Sequence, residues 1–350
     1  MNGKMGGEMK RALSLFVLVC AMLYASGSSV SAADNQGYKI KVGVSPVVSS
    51  AGIFLAYEKG YFKDQGLEVD ITYFKSSGAP MTALLGNGNL DVGAGNISAG
   101  LWNAINSGLN IKLVADKGRV SKDCDYIALL VRKDHIESKR YKGLADLKGF
   151  KMAVTAFGVS QQIAADKFLK AAGLNLEDVT FEKMDYAAMN LALQNKSLDA
   201  TVQLEPYLAE AQLSGVAVKV LGVNEVYPEQ QSAAIIYASQ FMSEHPDLAE
   251  KFMIAYLQGS RVYNDAFIKG KNKAEIISLL KKHIKIESDE IWDKMIPVGI
   301  NPNGYLNKES LAEDALWYKE HGFIEAACDV EKSVDHTFVE KALKEIGKYE

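Results

Sequence analysis

Four stretches of this chain gather hydroxyl, amide and glycine groups densely enough to hold an anion or a carbonyl oxygen. They are Ser45–Gly52 (SPVVSSAG), Lys75–Pro80 (KSSGAP), Gly93–Ser98 (GAGNIS) and Thr155–Ser160 (TAFGVS). Each falls where a strand-like segment passes into a helix-like one. Ser and Asn are preferred helix caps, and one such junction alone needs no further reason. Four of them exceed what capping needs. Free amide N–H groups at helix starts bind anions and carbonyl oxygens, and glycine lets a ligand approach the backbone closely. Near the same edge fall Lys117, Arg119, Asp123, Asp125, Asp185, Tyr186, Glu205 and Tyr207. Taken singly, each reads as solvated or as half of a surface ion pair. Glu205-Pro206-Tyr207 is more pointed, because it directly follows a strand-like run. Phe157, Tyr186, Tyr207 and Trp102 are candidate aromatic walls, although Trp102 lies on a helix, where a core position is the commoner outcome.

Signals of catalysis are missing from the chain. There is no G-x-S-x-G elbow, P-loop or H-E-x-x-H pair. His135, His245, His283, His321 and His336 are scattered through polar stretches and read as surface residues. Cys124 and Cys328 have no neighbour at metal-ligand spacing, and whether they pair as a disulfide is left open. No catalytic residue, metal or cofactor is therefore expected.

The elements that must position the junctions alternate regularly. Strands are predicted at Tyr38–Val44, Gly66–Phe74, Leu90–Gly95 and Asn110–Ala115, with helices at Gly52–Lys59, Ala79–Asn87 and Ala99–Ser107 between them. A second series follows: strands Lys151–Thr155, Val179–Lys183, Leu198–Val202 and Val216–Leu221, with helices Leu144–Leu147, Gln161–Ala172, Tyr186–Asn195 and Pro206–Leu213. Such β-α-β succession implies parallel sheets covered by helices on both faces. Two extended apolar runs, Tyr126–Arg132 and Ser232–Ala238, read as crossings between the two series. Thereafter the chain is mostly helical (Glu244–Ala266, Lys273–His283, Ser288–Ile296, Ser310–His321 and Phe338–Ile346). The expected architecture is α/β, with two domains joined by two hinge crossings: 34–127 plus 236–350 as the first, 128–235 as the second. One continuous doubly wound sheet is the alternative that periodicity leaves open.

Ahead of these elements stands a different pattern. Met9-Lys10-Arg11 is a basic start, Ala12–Tyr24 is apolar, and Ala25–Ala33 is a run of mostly small residues, the layout of a secretory signal peptide. About 13 apolar residues are too few to span a bilayer, which takes roughly 20. Cys20 lies inside the apolar run behind Val19 and is not placed as a lipid anchor. Met9 opens a better signal than Met1, so translation is expected to begin at Met9. Removing residues 1–33, which carry Lys4, Lys10, Arg11 and Glu8, takes the whole-chain net charge from −4 to −6. A mildly acidic chain with dispersed charge is not built for nucleic acid.

Several of these segments also carry a family pattern. FLAYEKGYFKDQGLEVDI (Phe54–Ile71), GAPMTALLGNGNLDVGAGNISA (Gly78–Ala99), LADLKGFKMAVTAFGVS (Leu144–Ser160), LEPY (Leu204–Tyr207), NPNGYLNKESL (Asn301–Leu311) and SVDHTFVEKALKEIG (Ser333–Gly347) resemble the NitT/TauT-type periplasmic solute-binding proteins of ABC importers, in the NMT1/THI5-like superfamily. The resemblance implies a type II-like periplasmic-binding-protein fold with two hinge crossings. It implies a monomer that closes over a small molecule and delivers it to an inner-membrane ABC permease. Matched by position, the ligand contacts would be Ser49, Ser50, Ser76, Ser77, Asn96, Ser98, Phe157, Ser160 and Glu205, with Tyr186 added as an aromatic wall. A small organic anion, such as a sulfonate or aromatic acid, is the expected solute; a thiamine pyrimidine precursor or riboflavin is the alternative. The superfamily also holds thiamine-pyrimidine synthases, which carry a cysteine-rich motif that this chain lacks. Sequencing the N-terminus of the exported protein is expected to read from Ala33 or Asp34; a start upstream of these would overturn the cleavage assignment.

Overall fold

The computed structural model describes residues 37–74 and 78–350. The expected signal peptide lies outside the described residues. Ten strands form two sheets. The first sheet contains β1 (Lys39–Val44), β2 (Glu68–Tyr73), β3 (Val92–Asn96), β4 (Ile111–Arg119) and β10 (Gln231–Ala238), in the order β2-β1-β3-β10-β4. The second contains β5 (Ile127–Arg132), β6 (Lys151–Val154), β7 (Thr180–Lys183), β8 (Ala200–Leu204) and β9 (Ala217–Gly222), in the order β7-β6-β8-β5-β9. The continuous-sheet alternative is thereby excluded.

The two sheets repeat one plan. In each, four of the five strands run in one direction and the fourth in spatial order runs antiparallel between its two neighbours. That antiparallel strand is the apolar run that the sequence suggested was a crossing. β5 and β10 are buried along their whole length, which is why they lack the polar/apolar alternation of half-exposed strands such as β1, where Lys39 and Lys41 face out. The actual connections lie just before them, at 120–126 and 223–230. β10 pairs with β4 from Gln231 onward, so it belongs to the first sheet as one piece. The expectation of purely parallel sheets is corrected by these two strands, because a chain that returns from the other sheet arrives from the opposite end.

β8 also runs later than Leu198–Val202, ending at Leu204. The shift puts Glu205 at the strand's very end, where a side chain meets the space between the sheets.

Helix Pro246–Phe267 is the spine of the first half, packing along helix Ala51–Glu58. The contact depends on two glycines. A Cβ on Gly259 would lie 2.1 Å from the Gly52 carbonyl oxygen and 2.7 Å from the Ala56 amide nitrogen. An alanine inside a helix normally stabilises relative to glycine by about 0.5–1 kcal/mol. Here the obstacle is backbone, so the sign reverses. Gly259→Ala is expected to destabilise the protein by about 1–3 kcal/mol, the usual cost of overpacking, in chemical denaturation; unchanged or raised stability would contradict the close helix approach.

Candidate functional site

The strand ends of both sheets border a cavity of about 390 Å³. From the first sheet's side come Ser45, Pro46, Val47 and Ser49, which follow β1, and Asn96, which ends β3. The second sheet contributes Thr155 after β6, Ser160 and Gln161 at the start of helix Ser160–Lys170, and Gln203, Leu204 and Glu205 at the end of β8. Asp185, Tyr186 and Tyr207 stand at the starts of the next two helices. Tyr126, Ser232 and Val298 line it beside the connections between the sheets.

Ser45 is 6% exposed, and its hydroxyl has no hydrogen-bond partner. A buried hydroxyl in that state leaves a donor and an acceptor available to a guest. Ser49 accepts a hydrogen bond from the Lys117 ammonium at 2.8 Å. Lys117 is fully buried, and burial lowers its pKa to about 7 although neighbouring Asp116 opposes the shift. Tyr126 Oη lies 2.5 Å from Ser232 Oγ, which itself donates to the Gly118 carbonyl at 2.9 Å, so Tyr126 is the donor of that pair.

On the opposite wall, Gln161 accepts from the Thr155 amide at 2.7 Å and from its hydroxyl at 3.0 Å, and its own amide donates to the Val202 carbonyl. Gln203 donates to the Tyr186 carbonyl at 3.1 Å and to Asn190 at 3.0 Å. These amides are held by bonds at both ends, which makes the wall rigid. Tyr186 and Tyr207 stack with ring centres 5.8 Å apart.

Glu205 is 1% exposed and sits at the seam. Its Oε2 accepts from the Ala209 amide and its Oε1 from the Ile296 amide, each at 3.0 Å. Ile296 belongs to the segment that straps the first sheet, since Gly299 accepts from the Arg119 amide at 2.8 Å. One carboxylate thus joins the two sides. Burial raises its pKa to about 7, against the pull of those two amides.

A second seam lies where Ala99 donates to the Gly158 carbonyl at 2.8 Å and Ser98 bridges Val159. That contact accounts for two expected ligand residues. Ser98 caps its helix, accepting from Leu101, and lies against Val159 without lining the cavity. Ser50 is fully buried and donates back to the Ser45 carbonyl at 2.8 Å, so it shapes the turn. Phe157 is 46% exposed with the Lys183 ammonium over its ring, and is not a cavity wall. Trp102 is core. Ser76 and Ser77 lie outside the described residues. Ser49, Asn96, Ser160, Tyr186 and Glu205 do meet around the cavity.

Of the other charged candidates, Asp185 lines the cavity. Arg119 pairs with Glu229 at 3.1 Å, and Asp125 accepts from the Asn224 amide at 2.9 Å. Two histidines read as surface residues are not. His135 is 3% exposed and contacts Asp199 at 2.7 Å, and His283 is stacked on Phe54 with ring centres 4.5 Å apart. Cys124 and Cys328 are free thiols. Among the described residues no group of His, Cys, Asp and Glu is placed to hold a metal ion, and no helix is long and apolar enough to cross a membrane. Ser45, Thr155, Gln161 and Gln203 were missed as individual contacts. The first two stand inside junctions that the sequence singled out; Gln203 was hidden by the misplaced end of β8.

The carboxylate at the seam makes stability depend on pH. Folded Glu205 keeps its proton to about pH 7, whereas an ordinary glutamate loses it near 4.5. Its contribution is fully present below pH 4.5 and is lost as pH rises through 7. The linkage from Lys117, with its pKa moved from 10.5 to about 7, falls above that window. The melting temperature of Glu205→Gln, measured relative to the unsubstituted protein, is expected to become more favourable from pH 5 to pH 8; a constant difference would refute the raised carboxylate.

Known proteins share both the sequence pattern and this frame. The NMT1-like family profile matches residues 33–281. A Bacillus subtilis (strain 168) protein named "Putative aliphatic sulfonates-binding protein" is 26% identical over 355 aligned positions, covering 96% of this chain and 98% of that protein. The periplasmic aliphatic sulphonate binding protein SsuA of Escherichia coli superposes with a TM-score of 0.68 at 20% identity, covering 85% of this chain and 92% of its own. The same fold also carries chemistry elsewhere: the desulfurization enzyme DSZB superposes with a TM-score of 0.63 at 13% identity, covering 88% of this chain and 99% of its own. With the family profile spanning most of its length and two sheets built on the periplasmic-binding-protein plan, this chain belongs to the NMT1-like family.

Proposed function

We propose that this protein is the solute-binding component of an ABC importer, working as a monomer in the periplasm after loss of residues 1–33, and that it is not an enzyme. The carrying observation is a cavity of about 390 Å³ walled by the strand ends of both sheets, with an unpartnered buried hydroxyl at Ser45. Sites of this kind, concave and between two lobes, are where ligands bind in α/β folds. The lobes we propose divide at 120–126 and 223–230. They close over the solute by hinge motion and present it to an inner-membrane permease.

The walls carry opposite character, and this supports a solute with two different ends. Ser45, Ser49 and the Lys117 ammonium behind it suit a sulfonate or carboxylate oxygen. Across the cavity Asp185 and Glu205 suit an amine or a ring N–H. These two acids are the charged side chains in its lining among the described residues. A small organic acid bearing an N–H group satisfies both walls, and a nitrogen heterocycle is the second reading, favoured by those two carboxylates.

The test is a thermal-shift screen over sulfonates, aromatic acids, pyrimidines and flavins, with hits followed by solution scattering. A true ligand at about 100 times its Kd adds about 2.7 kcal/mol to stability and is expected to reduce the radius of gyration. A screen that finds only purely cationic binders would overturn the assignment of the Ser45–Ser49 wall. A saturating ligand that leaves the radius of gyration unchanged would overturn hinge closure.

A further inference from the structure

Lys117 carries a positive charge that the described residues leave without a counter-ion. It is fully buried on β4, and its ammonium is hydrogen-bonded to Ser49 Oγ at 2.8 Å, a neutral hydroxyl. Nearby cations are paired: Arg119 with Glu229 at 3.1 Å, and Lys219 with Asp125 at 3.7 Å. No carboxylate among the described residues does the same for Lys117. Adjacent Asp116 faces the other way, its oxygens taken by the Gln231, Gly118 and Asn301 amides. Two phenols come from other elements: Tyr126, bonded to Ser232, and Tyr256, which donates to the Asp116 carbonyl. Burial holds both above the ordinary tyrosine range, so they stay neutral. Asp185 and Glu205 face Ser49 from across the cavity. A buried charge without a partner is destabilising, and burial lowers this one's pKa from 10.5 to about 7.

We infer that an anionic solute is the missing counter-ion, and that Lys117 is a positioning residue that acts through Ser49 and couples solute capture to uptake of a proton. The inference rests on the proposed solute-binding function and deepens it. An ammonium only donates, so Ser49 Oγ accepts from it. Other hydroxyl protons of the lining are committed: Tyr126 donates to Ser232, Ser232 to the Gly118 carbonyl and Thr155 to Gln161. Ser49 is left with its own proton for a guest in the cavity that it lines. A neutral amine has a lone pair and accepts from Ser49, which turns that proton away from the guest. The charge on Lys117 thus supplies a field and also sets Ser49 as a donor. A guest oxygen hydrogen-bonded to Ser49 lies about 4–5 Å from Lys117 Nζ. Opposite charges at that separation, at an effective dielectric constant of about 20, shift an equilibrium by roughly two to three powers of ten. A bound anion therefore raises the Lys117 pKa, and where the free protein holds a neutral amine, binding draws a proton from solution. Affinity is greatest below pH 7, where Lys117 is already charged, and falls as pH rises through 7.

Titration calorimetry on the full mature chain tests this with methanesulfonate and benzenesulfonate, probes that keep their own charge constant from pH 6 to pH 9. Glu205 titrates in the same range, so the series is run on the unsubstituted protein and on Glu205→Gln. In both, affinity is expected to fall at least tenfold from pH 6 to pH 9. Titrations of Glu205→Gln in buffers of different ionisation enthalpy are expected to show close to one proton taken up per solute near pH 8. Close to none is expected at pH 6. Adding Lys117→Met is expected to weaken the sulfonates at least tenfold at pH 6 and to abolish the remaining pH dependence and proton uptake. Its melting temperature without solute is expected to hold or rise, because an unpaired buried charge is gone. Sulfonate binding that is flat in pH and takes up no proton would overturn the coupling while leaving the solute-binding function standing. A pH profile that persists in folded Lys117→Met would do the same. The proton count needs no Met variant, so it decides the matter even where that variant misfolds. Failure of both sulfonates to bind at any pH would overturn this inference together with the acid-binding reading of the Ser45–Ser49 wall.

Discussion

Asp116 ties together the half built on the first sheet, three residues before β4 ends and the chain leaves for the second sheet. It is fully buried, and its two carboxylate oxygens take the Gln231 side-chain amide at 2.6 Å, the Gly118 amide at 3.2 Å and the Asn301 amide at 2.6 Å. Its carbonyl accepts from the Tyr256 hydroxyl, also at 2.6 Å. Four segments are thereby drawn to one residue: β4, the start of β10, the strap at 299–301 and the long helix Pro246–Phe267. Burial pushes its pKa up even so, because a carboxylate in an apolar interior needs more than hydrogen bonds to keep its charge cheaply. Removing one donor would leave a buried acceptor unmet, which is why the surrounding amides are bound at both ends.

That knot also sets the character of the cleft. Neighbouring residues on a strand face opposite ways. With Asp116 turned to the strap and the helix, Lys117 is turned to Ser49 and brings a buried ammonium behind the cavity wall. Gln231, one end of the knot, continues through Asn307 and Ser310 to the C-terminal helices, while its neighbour Gln230 donates to the Ser160 carbonyl at the start of a second-sheet helix. The connection before β10, the cavity wall and the scaffold thus share the same few hydrogen bonds.

Much of the frame was legible because periodicity is a local property. The alternation in β1, the strand–helix order and the placement of polar junctions all follow from segments of six to twelve residues. The errors have physical causes. β5 and β10 are apolar throughout because both faces are covered, and an all-apolar run carries no information about direction or partner. They read as crossings and prove to be antiparallel core strands. Ser50 and Ser98 have the right residue type at the right junction, yet each is consumed by a local bond. The histidines misread because their partners, Asp199 for His135 and Glu58 for His283, are 64 and 225 positions away.

By itself the sequence determined the α/β class, the family pattern and the junctions from which a binding site would be built. Those depend on residue type and short-range spacing alone. The tertiary structure decided which of the junction residues face a guest. Ser45 and Ser49 look the same in sequence as Ser50, but only a folded turn orients one hydroxyl inward to its own backbone and leaves another unpartnered in the cavity. It decided too that Glu205 spans the seam and that Lys117 stands behind Ser49, since both depend on contacts between segments far apart along the chain. The character of the cleft, with hydroxyls at one wall backed by the Lys117 ammonium and carboxylates at the other, is a product of that packing.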